Sequence, residues 1–239
     1  LVVACPRTEW HGLAARMVTQ ILRWRGVAAD YVGTLASDAA LAELLRQRRP
    51  RAIALSCTMT SALPDVARTV VVAGRHGTAV LGGGRGFGPH GRYARSVGIA
   101  GWAAGAPQLT RSIARWDRTG WPAPDDPVPE PIGYRRLTSG RREIAGSVAS
   151  SLIGTVPRAD DVGLASDDVE LIRDAAEQVA AVALAAVRTG HGPILDDGIT
   201  EITAALRRRP EPVSAVAARL PAVAHAELDR RLSGYPGRE

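Results

Sequence analysis

The first 119 residues alternate short, uniformly apolar runs with helical stripes, and that alternation leaves few folds open. Leu1-Val2-Val3-Ala4-Cys5 is continuously apolar, the pattern of a strand buried on both faces. From Leu13 to Trp24 apolar residues fall at Leu13, Met17, Ile21, Leu22 and Trp24, which predicts a helix ended by Gly26. A second strand is expected over Val27 to Val32, stopped at Gly33. Ser37 and Asp38 offer capping chemistry for a helix carrying Leu41, Leu44 and Leu45, and Pro50 follows its basic last turn. Ala52 to Ser56 predicts the third strand, Leu63 to Gly74 a helix, and Thr78 to Leu81 the fourth strand. A Gly-rich loop from Gly82 to Gly91, a short helix around Arg92 to Ser96, a strand near Ile99 to Ala103 and a helix from Pro107 to Trp116 complete this half. Strands alternating with helices through short turns predict an α/β fold with a doubly wound parallel, Rossmann-like (flavodoxin-like) sheet. Ligands of such sheets sit beyond the carboxyl ends of the strands.

Between Trp121 and Pro131 five prolines occur in eleven residues, so 120–133 reads as a stiff linker between domains 1–119 and 134–239. Beyond it every signal is helical, and an all-α domain is expected. Its helices are predicted over Tyr134 to Ile153, from Ser166-Asp167-Asp168 to Gly190, Ile199 to Arg208, Val213 to Leu220 and Ala222 to Leu232. His191 and His225 are isolated and read as helix-end or surface residues.

All 30 basic side chains are arginine, which resembles a coding bias more than a design for one partner. Their distribution says more: residues 1–119 carry 16 Arg against 6 acids, and residues 120–239 carry 14 Arg against 18 acids. Opposite net signs favour docking of the halves on one another or on a second copy. Nucleic acid is disfavoured as a partner, because no helix-turn-helix pattern is present and Arg207-Arg208-Arg209 reads as the basic end of a helix. No apolar run reaches the ~18 to 20 residues of a membrane span and no signal-peptide pattern opens the sequence, so a cytoplasmic location with no membrane partner is expected. Cys5 and Cys57 are read as buried, reduced thiols at strand ends.

The chemistry concentrates at those strand ends. After the first strand comes Glu9-Trp10-His11-Gly12-Leu13-Ala14. A histidine between a strand and a helix keeps one ring nitrogen for a metal, while a carboxylate two residues earlier takes the other N–H and raises the basicity of the ligand. After 41 further residues Ser56-Cys57-Thr58-Met59-Thr60 ends the third strand, and Gly82-Gly83-Gly84 ends the fourth. A response-regulator domain shares this sheet but needs a phospho-acceptor Asp at the end of strand three and an acidic pair after strand one, where Ser56 and Cys5-Pro6 stand.

Glu9-x-His11-x-x-Ala14, Ser56-x-Thr58 and Gly82-Gly83 resemble the D-x-H-x-x-G, S-x-L and G-G signature of the cobalamin-binding (B12-binding) domain family, in the same order and with similar spacings. The resemblance covers residues 1–119. It implies that the nucleotide tail of the corrinoid leaves the cobalt and threads into the sheet, with His11 replacing it as lower ligand and Glu9 holding the other imidazole nitrogen. Ser56, helped by Thr58 or Thr60, would hydrogen-bond the tail base, and Gly12 with the Gly82-Gly83-Gly84 loop would complete the cofactor-binding set. Glu in place of Asp resembles the variant of cobalamin-based light sensors; Ala14 stands for the motif Gly and Thr58 for the usual Leu.

The resemblance implies a non-enzymatic cobalamin sensor, a photoreceptor using adenosylcobalamin as chromophore. A cobalamin domain followed by a helical domain is similar to the photocobilins, which pair cobalamin with a bilin, so biliverdin in the helical domain is the second expected cofactor. The alternative is a corrinoid carrier of a methyltransferase or the small subunit of a B12-dependent mutase. The four-helix cap and Trp-x-x-x-Glu-His pattern of related light sensors do not precede the first strand here, so the helical half is expected to cover the upper face of the corrin. A homo-oligomer, a dimer assembling in a light- or ligand-dependent way, and a downstream effector are the expected signalling partners.

Overall fold

In the computed structural model, residues 1–124, 131, 134–154 and 164–232 are described. The chain divides into two compact units, Leu1–Pro129 and Glu130–Glu239. Most of the proline-rich linker, 125–130 with 132 and 133, lies outside the described residues.

The first unit is built on five parallel strands: β1 (Val2–Cys5), β2 (Asp30–Thr34), β3 (Ala52–Ser56), β4 (Ala79–Gly83) and β5 (Gly101–Ala103). Their order is β2-β1-β3-β4-β5, so the winding direction reverses at the crevice between β1 and β3. In a doubly wound sheet that reversal opens a ligand cleft at the carboxyl ends of the two strands. β1, β3 and β4 are interior and almost wholly buried, which explains their unbroken apolar composition.

Helix α1 (Gly12–Trp24) lays Ala15, Thr19 and Leu22 on the sheet. Leu22 is fully buried and contributes roughly 1.5–3 kcal/mol of burial free energy. Helix α4 (Ala106–Thr119) packs beside α1 through Leu109 and Ile113. Helices α2 (Asp38–Arg48) and α3 (Leu63–Gly74) pack on each other. Ser37 caps α2 by accepting from the Ala40 amide at 3.1 Å, an interaction worth ~1 kcal/mol.

Several boundaries differ from the sequence reading. β2 begins at Asp30, because Val27 closes the α1 turn by donating its amide to the Leu22 carbonyl and Ala29 buries its side chain before pairing starts opposite Val2. β4 runs through Gly82 and Gly83, which pair with Leu55 and Ser56 on one side and Trp102 and Ala103 on the other. The loop after it is wound into short 3-10 turns at Arg85–Phe87, Pro89–Gly91 and Arg95–Val97.

The second unit is helical throughout its described part: α5 (Tyr134–Ile153), α6 (Ser166–Thr189), α7 (Pro193–Leu206), α8 (Val213–Ala217) and α9 (Leu220–Leu232). The expected third helix therefore starts six residues earlier, with Pro193 in its first turn, where the missing N–H costs nothing. α6 packs against α5 and α7, and α9 against α5 and α7. The α6–α7 seam is tight at Gly198, where a Cβ would lie 2.3 Å from Val182 Cγ1. Glu227, 1% exposed, accepts from Arg231, which also reaches Glu143 at 2.9 Å and so ties α9 to α5. No described helix is long and apolar enough to cross a membrane.

Candidate functional site

The loop from Pro6 to His11 leaves β1 at the reversal point and is held on three sides. Arg7 donates to Asp38 of α2 at 2.9 Å, Thr8 donates to Asp65 of α3 at 2.8 Å, and Thr34 of β2 donates to the Glu9 carbonyl at 3.0 Å. Glu9 is wholly buried, yet every demand of its carboxylate is met. Oε1 lies 2.5 Å from His11 Nδ1 and accepts the His11 amide at 3.0 Å; Oε2 accepts the amides of Thr58 at 2.6 Å and Met59 at 3.0 Å. Burial alone would raise the pKa of this carboxyl, because it disfavours the charged form. The hydrogen bonds from the His11 amide, the Thr58 amide, the His11 ring and the Met59 amide outweigh it and hold Glu9 below its ordinary value.

With Nδ1 committed to Glu9, the ring is fixed in orientation and its other nitrogen, Nε2, has no hydrogen-bond partner among the described residues. One ring face is covered by Trp10, whose indole stacks on it with centroids 4.0 Å apart and planes inclined by 28°. Trp10 itself is 76% exposed. A basic nitrogen thus stands at the carboxyl edge of the sheet on a support that cannot swing freely.

A cavity of about 300 Å³ runs between the sheet and helices α1 and α4; Glu9, His11 and Gly12 do not line it, and Ala14 is the first residue of α1 that does. Val3, Ala54, Leu55 and Leu81 form its sheet wall, Ala14, Met17, Val18 and Ile21 its α1 wall, and Ala106, Pro107 and Leu109 its α4 wall. Ser56 and Gly82-Gly83-Gly84 also line it, so strand-end residues of β3 and β4 meet at one space. Thr58 and Thr60 do not line it: Thr58 serves Glu9 through its backbone amide, and Thr60 is buried at the start of a 3-10 turn. Gly12 sits under Tyr31, whose hydroxyl would lie 2.6 Å from a Cβ added there.

The glycines are demanded by packing within the protein as well as by the cavity. A Cβ on Gly82 would meet Phe87 at 2.8 Å, one on Gly83 would meet the Ala103 carbonyl at 3.1 Å, and one on Gly84, at φ +106°, would meet the Cys57 carbonyl at 2.3 Å. Cys57 is buried, donates from Sγ to the Met59 carbonyl at 3.3 Å, and its thiol is pushed well up by burial and by the Glu9 charge. Cys5, also free and buried, is raised by the same two causes, partly offset by a hydrogen bond with Tyr31.

Two things here were not visible in the sequence. The bonds from the Thr58 and Met59 amides to Glu9 join residues 49 and 50 positions apart, and no local pattern announces them. The aliphatic walls at Val18, Ile21, Ala54 and Leu81 carry no pattern that tells a cavity lining from core; only the position of the cavity near the carboxyl ends of the strands marks them.

Residues 1–109 match the family described as the B12 binding domain. The histidine and the cavity stand in the part that matches. No curated protein sequence matches the chain. Among solved structures it is similar to a cobalamin-binding protein from Desulfitobacterium hafniense DCB-2, at 18% identity and a TM-score of 0.44. That similarity covers 48% of this chain and 57% of the other, little more than half of that protein's length.

Proposed function

We propose that this B12-binding domain uses His11 Nε2 as the lower axial ligand of cobalt and that the chain is a light sensor carrying adenosylcobalamin. The observation that carries the ligand assignment is the Glu9–His11 contact of 2.5 Å, which takes Nδ1 out of play and leaves Nε2 the available donor. The residues present fit a corrinoid with its tail detached: a single oriented imidazole before α1, and a cavity of about 300 Å³ lined by α1, α4 and the ends of β3 and β4. Ser56 offers its hydroxyl to the tail base, and the Gly82-Gly83-Gly84 backbone forms the rim.

When bound, adenosylcobalamin supplies a cobalt–carbon bond that visible light breaks. The protein's part is to hold the imidazole proton on Nδ1 with Glu9, to cover one ring face with Trp10 and to keep water from the tail base with the aliphatic walls. A homo-oligomer whose assembly changes with light, and a downstream effector, complete the sensor reading. Biliverdin in the helical unit is proposed from domain order; the seam at Gly198 and Val182 is closed, so a bilin would seat elsewhere among the helices.

The test is the absorption spectrum and the elution volume of the purified chain loaded with adenosylcobalamin, dark and after illumination. A His-ligated corrin spectrum that bleaches on illumination, with a change in assembly, is expected. His11→Ala should abolish the His-ligated bands; an unchanged spectrum in that variant removes His11 as ligand. A chain that holds the corrinoid but is indifferent to light belongs to the alternative class, a corrinoid carrier or mutase subunit.

A further inference from the structure

A groove of about 580 Å³ opens along the β5 edge of the sheet and shares no lining residue with the cavity between α1 and α4. β5 is the last strand in the order, so one of its sides has no neighbour. The Cys57 amide donates to the Gly83 carbonyl at 2.9 Å, which turns Gly83 toward β3, and the Ala100 amide donates to the Val80 carbonyl at 2.9 Å, which turns Val80 toward β5. Peptide groups alternate sides along a parallel ladder, so Gly82 also faces β5 and is bonded there by Gly101 and Ala103. The N–H and C=O of Trp102 are left pointing out of the edge, with no partner among the described residues. Across the groove α4 presents Arg111 and Arg115, both exposed, and no acidic residue lines the space. Neither arginine has a carboxylate partner among the described residues; Arg115 lies over the Trp116 ring at 5.9 Å. Like charges one turn apart weaken a helix, and negative charge placed between them relieves the repulsion.

We infer that this edge is a docking strip for an extended acidic segment of a partner protein, which pairs its main chain with Trp102 and sets carboxylates at alternate positions against Arg111 and Arg115. The spacing fits: four residues of helix rise ~6 Å, and two residues of strand, the repeat of one strand face, span ~6.6 Å. A segment of the form Glu-x-Glu therefore meets both guanidinium groups from one face. A three-residue edge holds an added strand weakly by its main chain alone, so the arginine pair supplies both attraction and register. A nucleic acid strand fits less well. Its backbone offers phosphate acceptors and nothing to donate to the Trp102 carbonyl. Both indoles of the groove are also engaged within the protein: Trp102 lies where a Cβ on Gly91 would meet it at 2.3 Å, and Trp116 lies 3.0 Å from a Cβ on Gly101 and packs on Trp121 at 5.6 Å.

The experiment is a fluorescence-anisotropy titration of labelled eight-residue probes with the full-length chain. One peptide alternates threonine and glutamate; a second has the same composition with its acids in adjacent pairs, Glu-Glu-Thr-Thr repeated, so that no two acids stand two apart. A third is the alternating peptide N-methylated at every second amide, and the fourth probe is an eight-residue oligothymidylate. The alternating peptide is expected to bind best. Removing its edge hydrogen bonds by N-methylation should weaken it by about 2- to 10-fold. The double variant Arg111→Gln, Arg115→Gln should weaken it by about 2- to 25-fold, the loss of two exposed ion pairs. Equal binding of all three peptides overturns the inference, because attraction by net charge alone then suffices. Oligothymidylate binding as tightly as the alternating peptide overturns it in favour of a phosphate backbone, and no binding of the alternating peptide, or binding unchanged in the double variant, overturns it outright. Far-ultraviolet dichroism checks that the variant is folded, and the N-methylated peptide decides the edge pairing on the parent chain alone.

Discussion

Glu9 and His11 share a proton-bearing contact of 2.5 Å in which the acid is fully buried and the base is partly exposed. The other carboxylate oxygen is bound by the Thr58 and Met59 amides, so the histidine is anchored to the segment that follows β3 rather than to its own helix.

Replacing Glu9 by Gln puts an amide NH2 where an acceptor is needed, opposite either two backbone amides or the imidazole. The expected loss is about 1–3 kcal/mol of folding stability, read from the denaturant midpoint. Loss of this partner should also lower corrinoid affinity about 10- to 100-fold in a spectral titration. A variant as stable and as tightly loaded as the parent would show that the carboxylate is dispensable.

The same carboxyl sets a pH dependence. Its folded value lies below the ordinary 4.5, so the unfolded chain binds the proton more readily. The stability it contributes is complete above that ordinary value and is lost as pH falls through the depressed folded value. Urea midpoints measured between about pH 6 and pH 3 should fall more steeply for the parent than for Glu9→Gln. Parallel curves would contradict the assignment.

Gly84 and Gly74 make a matched pair. Gly84 has φ +106° and a Cys57 carbonyl 2.3 Å from where a Cβ would go, whereas Gly74 has open space around it. Gly84→Ala should cost about 1–3 kcal/mol from backbone strain alone. Gly74→Ala, at the end of α3, should be neutral or stabilising by up to ~1 kcal/mol. Thermal unfolding of the two variants decides it; equal melting temperatures would mean that the loop relaxes around the new methyl.

Both thiols are buried and raised, so little thiolate is present at neutral pH. The native chain should resist alkylation by iodoacetamide for hours, and the urea-unfolded chain should take up two equivalents, counted by mass. Rapid labelling of Cys57 in the native state would place the segment after β3 in a more open conformation.

Sequence reading located the strands that are buried on both faces, because unbroken apolar runs such as Ala52 to Leu55 have few alternatives. It misplaced β2, an edge strand with exposed or half-exposed residues, since half-buried Val27 and buried Ala29 pack as a connection and not as a ladder. It gave Gly82 and Gly83 to a loop because glycine has poor strand propensity, and the register with Leu55 and Ser56 overrides that preference. The strand-end spacing pointed to His11, Ser56 and the glycines as a group. The second tie of Glu9 lies beyond any local pattern, because it is made by peptide N–H groups that every residue but proline carries.

The indole of Trp10 lies against the imidazole proposed to face cobalt, and it stands out in solvent. Corrins absorb in the near ultraviolet where tryptophan emits, and resonance energy transfer falls with the sixth power of separation, so an emitter this close would be extinguished by a seated corrin. Trp116 and Trp121, paired with each other at 5.6 Å, belong to a different part of the unit. If His11 takes the cobalt as proposed, the emission of Trp10 would report occupancy, falling as a corrin is seated.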